Sequence, residues 1–245
     1  MTVYPIMLNV KEMVCLIVGG GRVAERKASH LLEAGADVLL ISPELSSGLN
    51  ELVNKGRIRL ERRKYEEGDI RRFEPLLVFA ATNEPRVNQA VIEEARQAGK
   101  LVNAADNPDA GSFCVPAVLK RGKLAIAVST GGAGPAAAAR IKRELAGMYG
   151  PEYETYLDFL GQFRKWLRER IPSSEERHEL LKIVQSWPLH SVIVNGRFDS
   201  WVQGFYRHLD EGISGENLDQ YAAATGIQSF IGSCRTDSCH TKEHG

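Results

Sequence analysis

An apolar run of strand length, Val14-Cys-Leu-Ile-Val18, leads directly into Gly19-x-Gly21-x-x-Ala24, and this junction constrains the fold more than any other feature of the chain. The residues from Arg22 onward carry a helical pattern, so the glycines stand at a strand-to-helix turn. Each small residue then has a physical reason: Gly19 allows the tight turn, Gly21 lets backbone approach a pyrophosphate, and Ala24 lets the helix pack closely on a sheet. The helix N-terminus adds amides and the positive end of its dipole. A bare strand-to-helix turn also uses glycine, but strand, helix and the alternation beyond them all fit the dinucleotide reading.

Further β-rich runs at 37–42, 58–61, 76–81 and 100–102 alternate with helical stretches at 22–34, 43–55 and 85–98. These runs are nearly continuous in Val, Ile, Leu and Ala, so both sheet faces are expected to be buried, as in a parallel sheet covered by crossover helices. After Asp106 the texture changes. Strands at 113–119 and 124–130, joined by Lys120-Arg-Gly-Lys123, read as a hairpin, and Gly131-Gly-Ala-Gly134 leads through Pro135 into a helix over 136–148. From Pro151 the pattern is helical, with Tyr156, Leu160, Phe163, Leu167 and Ile171 at helix spacing and a capping box at Ser173-Ser-Glu-Glu176. The expected fold class is therefore α/β: a Rossmann-type parallel-sheet domain at 1–112, a small α+β dimerisation and substrate region at 113–150, a helical C-terminal domain at 151–225 and a flexible tail at 226–245.

Lys plus Arg equals Asp plus Glu at 31 each, so the whole-chain charge gives no reason to expect nucleic acid or an anionic membrane as partner. The longest apolar runs fall far short of the roughly 18 residues of a membrane helix, and the start lacks a leader pattern, which points to a cytoplasmic protein. Two cysteines inside apolar segments, Cys15 and Cys114, and two near the C-terminus make no disulfide framework.

The chemistry narrows by residue type. An NAD site usually places an acid at the end of the second strand, where this chain has Ser42-Pro43-Glu44; no Arg stands beside them in sequence for a 2′-phosphate, Arg22 being the nearby alternative, so NAD is favoured. Alcohol oxidation needs a His or a Tyr-x-x-x-Lys pair, yet none of the seven tyrosines has a Lys four residues on, and the one His before residue 150 is His30, inside the first helix. Asp106, just past the fifth strand, is the best placed titratable residue, with an Asx turn into Asn107-Pro108 as its competing role. Lys120, Arg121, Lys123, Arg140, Lys142 and Arg143 against Glu144 form a local basic region suited to a small polyanion, or else a solvated face.

Tyr4-Pro-Ile-Met-Leu-Asn9, Gly19-Gly-Gly-Arg-Val-Ala-Glu-Arg-Lys27, Ala80-Ala-Thr-Asn83, Asn103-Ala-Ala-Asp106, Ser112-Phe-Cys-Val-Pro116 and Ala127-Val-Ser-Thr-Gly-Gly132 together resemble the precorrin-2 dehydrogenases, the dehydrogenase module of sirohaem synthases. The likeness runs from about residue 3 to residue 150. It implies NAD-dependent oxidation of precorrin-2 to sirohydrochlorin by a homodimer whose protomers exchange elements of the middle region. It places Arg22, Val23, Pro43 and Glu44 at the cofactor, where Gly19 and Gly21 of the turn, Ser42 as a residue able to bond the ribose, and Thr82 complete the candidate set. Asp106 falls on the catalytic position, as base or as the charge that stabilises a developing cation. Asn103, Ser112, Phe113, Ser129, Thr130, Gly131 and Gly132 fall on the substrate pocket. Gly134 departs from the family, which more often has Ser there. Some relatives also insert ferrous iron, and this sequence does not decide that activity.

A rival of another class is a regulatory module that binds NAD without turnover; it leaves Asp106, Ser112-Phe113 and the basic region unemployed. Cys234, Cys239, His240 and His244 could close a metal site only awkwardly, because His240 directly follows Cys239 and the segment is polar throughout.

Overall fold

The computed structural model describes residues 3–227. Contacts divide the chain into two units, one comprising the residues up to Pro116 together with Ser129–Pro135, the other Ala117–Val128 and the chain from Ala136.

The first unit is built on five parallel strands, β1 (Val14–Val18), β2 (Asp37–Ile41), β3 (Arg59–Glu61), β4 (Leu77–Ala80) and β5 (Leu101–Ala104), in the order β3-β2-β1-β4-β5. Strand order reverses between β1 and β4, and in such sheets ligands bind outside the carboxyl ends at that point. Alternate residues feed two cores. Ile17, Leu40 and Phe79 meet Ala24 and Ala28 of α1 (Arg22–Glu33) and Leu49 of α2 (Ser47–Asn54). Leu16, Val18 and Val78 meet Ile70 of α3 (Asp69–Phe73) and Val91 and Ile92 of α4 (Pro85–Gln97). Burial of both faces is the reason that the strands read as continuous apolar runs.

The second unit holds the antiparallel pair β6 (Ala117–Arg121) and β7 (Leu124–Val128), most of α5 (Pro135–Met148), and α6 (Glu152–Arg170), α7 (Ser174–Ser186), α8 (Leu189–Val194), α9 (Phe198–Asp210) and α10 (Gly215–Ala224). Phe159, Phe163, Leu167, Trp201, Phe205 and Leu218 form its core. Ser173 caps α7 by accepting from the Glu176 amide at 3.3 Å. Ile227 is buried in the same core. The tail cluster Cys234, Cys239, His240 and His244 lies outside the described residues.

Several boundaries differ from the sequence expectation for identifiable reasons. α2 starts at Ser47 and not at 43, because the Ser42 hydroxyl donates to the Glu44 carbonyl (2.7 Å) and Ser46 supplies the cap, accepting from the Leu49 amide (3.4 Å). β5 extends to Ala104 through Asn103, whose side-chain amide donates to the Phe113 carbonyl at 3.0 Å. The segment before β6 is not hairpin strand but lies along β5, the Ser112 amide donating to the Val102 carbonyl at 2.7 Å. The short helix α3 was not anticipated.

Candidate active site

The three glycines after β1 answer to different demands. Gly19 has φ +122°, and a Cβ there would lie 2.3 Å from the Ala81 carbonyl oxygen beyond β4. At Gly20 a Cβ would lie 1.8 Å from the Glu44 carbonyl oxygen, and the Gly20 carbonyl accepts from the Ser46 amide at 2.8 Å. Both are held glycine by the chain's own packing. Gly21 is not: its backbone is extended (φ −86°, ψ −172°), and a Cβ would meet nothing within 4 Å. No side chain caps the α1 start, so the first-turn amides are open to a ligand beside exposed Arg22 and Val23. Uncapped amides next to an unfilled space are what a dinucleotide pyrophosphate needs, so these residues fit the group.

At the end of β2, Ser42 is buried and its hydroxyl shapes the elbow toward Glu44, while Pro43 and Glu44 are exposed. The structure adds a residue that sequence proximity missed. Ile41 pairs with Glu61, so Arg62 follows immediately on the neighbouring strand, and its guanidinium donates to Asn50 Oδ1 at 3.4 Å.

Beyond β4 and β5 the side chains converge on Asn88 of α4, which is 2% exposed. Asn88 Oδ1 accepts from the Thr82 amide (3.0 Å) and hydroxyl (2.8 Å), and its Nδ2 donates to the Thr82 carbonyl (3.1 Å) and to Asp106 Oδ2 (2.9 Å). Asp106 is itself exposed at the carboxyl end of the sheet, and the hydrogen bond it accepts from Asn88 spans 18 residues of sequence.

Asn103, Ser112 and Phe113 form a second group on β5. The Ser112 hydroxyl accepts from the Val102 amide at 2.7 Å and donates to the Val102 carbonyl at 3.3 Å, closing part of the sheet edge. Phe113 packs edge-on against Phe79, with centroids 5.4 Å apart. Asn103 is buried, and its Oδ1 has no protein hydrogen-bond partner. Lys27 of α1 lies over the Phe79 ring at 5.1 Å, and burial, with a smaller push from Arg26, brings its pKa down to about 8.

Ser129, Thr130, Gly131 and Gly132 build a turn of their own. The Gly131 amide donates to Ser129 Oγ at 3.3 Å, Thr130 Oγ1 donates to the Gly134 carbonyl at 3.2 Å, and both Gly131 and Gly132 have positive φ. Within the second unit, Lys123 pairs with Asp158 at 2.9 Å and Arg140 with Glu144 at 3.7 Å, which reduces the free charge of the basic region. His30 is exposed on α1. Among the described residues no helix is long and apolar enough to cross a membrane.

Comparison with known proteins places this geometry. An NAD(P)-binding family model matches residues 6–117, and a model for the central region of sirohaem biosynthesis proteins matches residues 121–148. A precorrin-2 dehydrogenase of Priestia megaterium is 35% identical over 178 residues, covering 73% of this chain and 87% of that protein. A sirohaem synthase of Methylococcus capsulatus is 35% identical over 193 residues, 79% of this chain but 40% of that protein, so the match spans less than half the length of that synthase. The solved structure of SirC, a precorrin-2 dehydrogenase, superposes with a TM-score of 0.71 at 31% identity, covering 84% of this chain and all of that one.

Proposed function

We propose, from the premise that this chain belongs to the family of precorrin-2 dehydrogenases and the matching modules of sirohaem synthases, that it oxidises precorrin-2 to sirohydrochlorin with NAD as acceptor. The observation that carries the reading is the convergence at one sheet edge of an open glycine turn at Gly21 and a carboxylate, Asp106, held by a buried amide.

A nicotinamide cofactor, held by its pyrophosphate at the turn, would supply the hydride acceptor. The chain's part is to bind and orient. Gly21, Arg22 and Val23 offer backbone to the pyrophosphate, while Glu44 at the end of β2 accepts from ribose hydroxyls and disfavours a 2′-phosphate. Arg62, just past β3, donates to Asn50. Thr82 would border a bound cofactor, and Asp106 would receive the proton that leaves as conjugation extends, or stand as the fixed charge facing the cation that forms. Asn103, with its orphan oxygen, and Phe113 line the substrate side together with Ser129 to Gly132; Ser112 contributes by seating Phe113. The polycarboxylate substrate explains uncommitted basic residues in a neutral chain.

Mixing the protein with precorrin-2 and NAD while following NADH absorbance tests the proposal. NADH should form in proportion to sirohydrochlorin, faster with NAD than with NADP. Asp106→Asn should lower kcat by about a hundredfold or more with NAD affinity unchanged. Cofactor binding without turnover would return the chain to the sensing class.

A further inference from the structure

Asn88 is a polar residue on the apolar stripe of α4, in register with Val91, Ile92 and Ala95, where a helix of this kind ordinarily carries Val or Leu. Burying an amide there is unfavourable unless all of its hydrogen-bonding capacity is met. It is met: two donors reach Oδ1 and two acceptors receive Nδ2. Three of the four bonds go to Thr82 and the fourth to the Asp106 carboxylate. Only a carboxamide serves both, since Thr82 presents donors and an acceptor at once whereas Asp106 presents an acceptor alone.

We propose that Asn88 is a positioning residue for this reaction: it fixes the Asp106 carboxylate in rotamer and, through the same amide, ties it to the Thr82 loop at the cofactor, so that acid and cofactor stay in one register. The proposal rests on the reading of Asp106 given above. A second-layer amide suits the task, because Asp106 is exposed, just past the end of β5.

The exchange of the two residues provides the test. Asn88→Asp retains an oxygen for the Thr82 amide and hydroxyl but sets a carboxylate against Asp106. Its kcat should fall about tenfold or more while KM for NAD stays within about twofold, and its Tm should drop. The double variant Asn88→Asp/Asp106→Asn restores the hydrogen bond with donor and acceptor exchanged. It should recover part of the lost Tm, the Thr82 carbonyl still facing an acceptor, yet show the kcat of Asp106→Asn alone, because Asn88 acts through a carboxylate that is no longer there. Should Asn88→Asp fail to fold, Asn88→Ser, whose hydroxyl is too short to span the contact, is carried through the same cycle. A near-normal kcat in Asn88→Asp, or losses that multiply in the double variant, overturns the inference and leaves Asp106 in place. A near-normal Asp106→Asn instead overturns the reading of Asp106 and this inference with it.

Discussion

At the scale of single residues, the adjacent glycines separate packing from binding. Gly21→Asp should leave circular dichroism and Tm unchanged, since its side chain enters open space, and should abolish NAD binding measured by calorimetry, because that space and the amides beside it are then blocked by a carboxylate. Wild-type affinity in a folded Gly21→Asp protein would remove the cofactor assignment. Lys27 gives a prediction in pH. Its folded-state pKa of about 8 lies below the ordinary 10.5, so the unfolded chain holds the proton more strongly and Lys27 destabilises the fold at neutral pH, a cost relieved as pH rises between those values. Lys27→Met should therefore raise Tm most near pH 7, with the advantage fading toward pH 10.5 in thermal unfolding scans. Cys15, whose thiol burial pushes up to about 11, titrates alike in both proteins and cancels in the difference. Gly19, Gly21, Glu44 and Asp106 were legible in sequence because each belongs to a local strand-end pattern. Asn88 was not, since its partners lie 6 and 18 residues away, although its place on the apolar stripe of α4 was a signal available to reading.

Among the elements, β1, β2 and β4 were legible because burial on both faces writes a nearly unbroken apolar run, whereas the edge strand β3, Arg59-Leu-Glu61, is partly exposed; the order β3-β2-β1-β4-β5 is that of a doubly wound sheet. The helix α3 left no such trace. Its start is held from a distance by buried Glu94 of α4, which accepts from the amides of Gly68 (3.0 Å), Ile70 (3.1 Å) and Arg71 (3.3 Å) and from the Tyr65 hydroxyl. Nothing in the sequence of 69–73 reports a cap supplied more than twenty residues later. Glu94→Ala leaves those donors without their acceptor and should cost about 2–4 kcal/mol in urea unfolding, with Glu94→Gln losing less. Equal stability of Glu94→Ala and the parent would mean that water replaces the carboxylate.

For the whole molecule, the resemblance implied a dimer, and the structure offers a physical motive. β6 and β7 form a sheet of only two strands, and Val115 and Val118 beside and within it are 46% and 44% exposed. So small a sheet with open edges is marginal by itself. Light scattering at micromolar concentration should give twice the mass of the 27.1 kDa chain; a monomer would count against protomer exchange. The division of the chain bears on modularity too. Because Ser129–Pro135 returns to the sheet unit between two stretches of the other, the backbone passes from one unit to the other three times. No single cut separates them. A truncation at Pro116 would keep every strand of the parallel sheet and still discard Ser129 to Gly132, so the nucleotide-binding half is not a transferable cassette: recombination or proteolysis that respects the sheet alone would remove a turn that belongs to the same compact unit and that is proposed above to face the substrate.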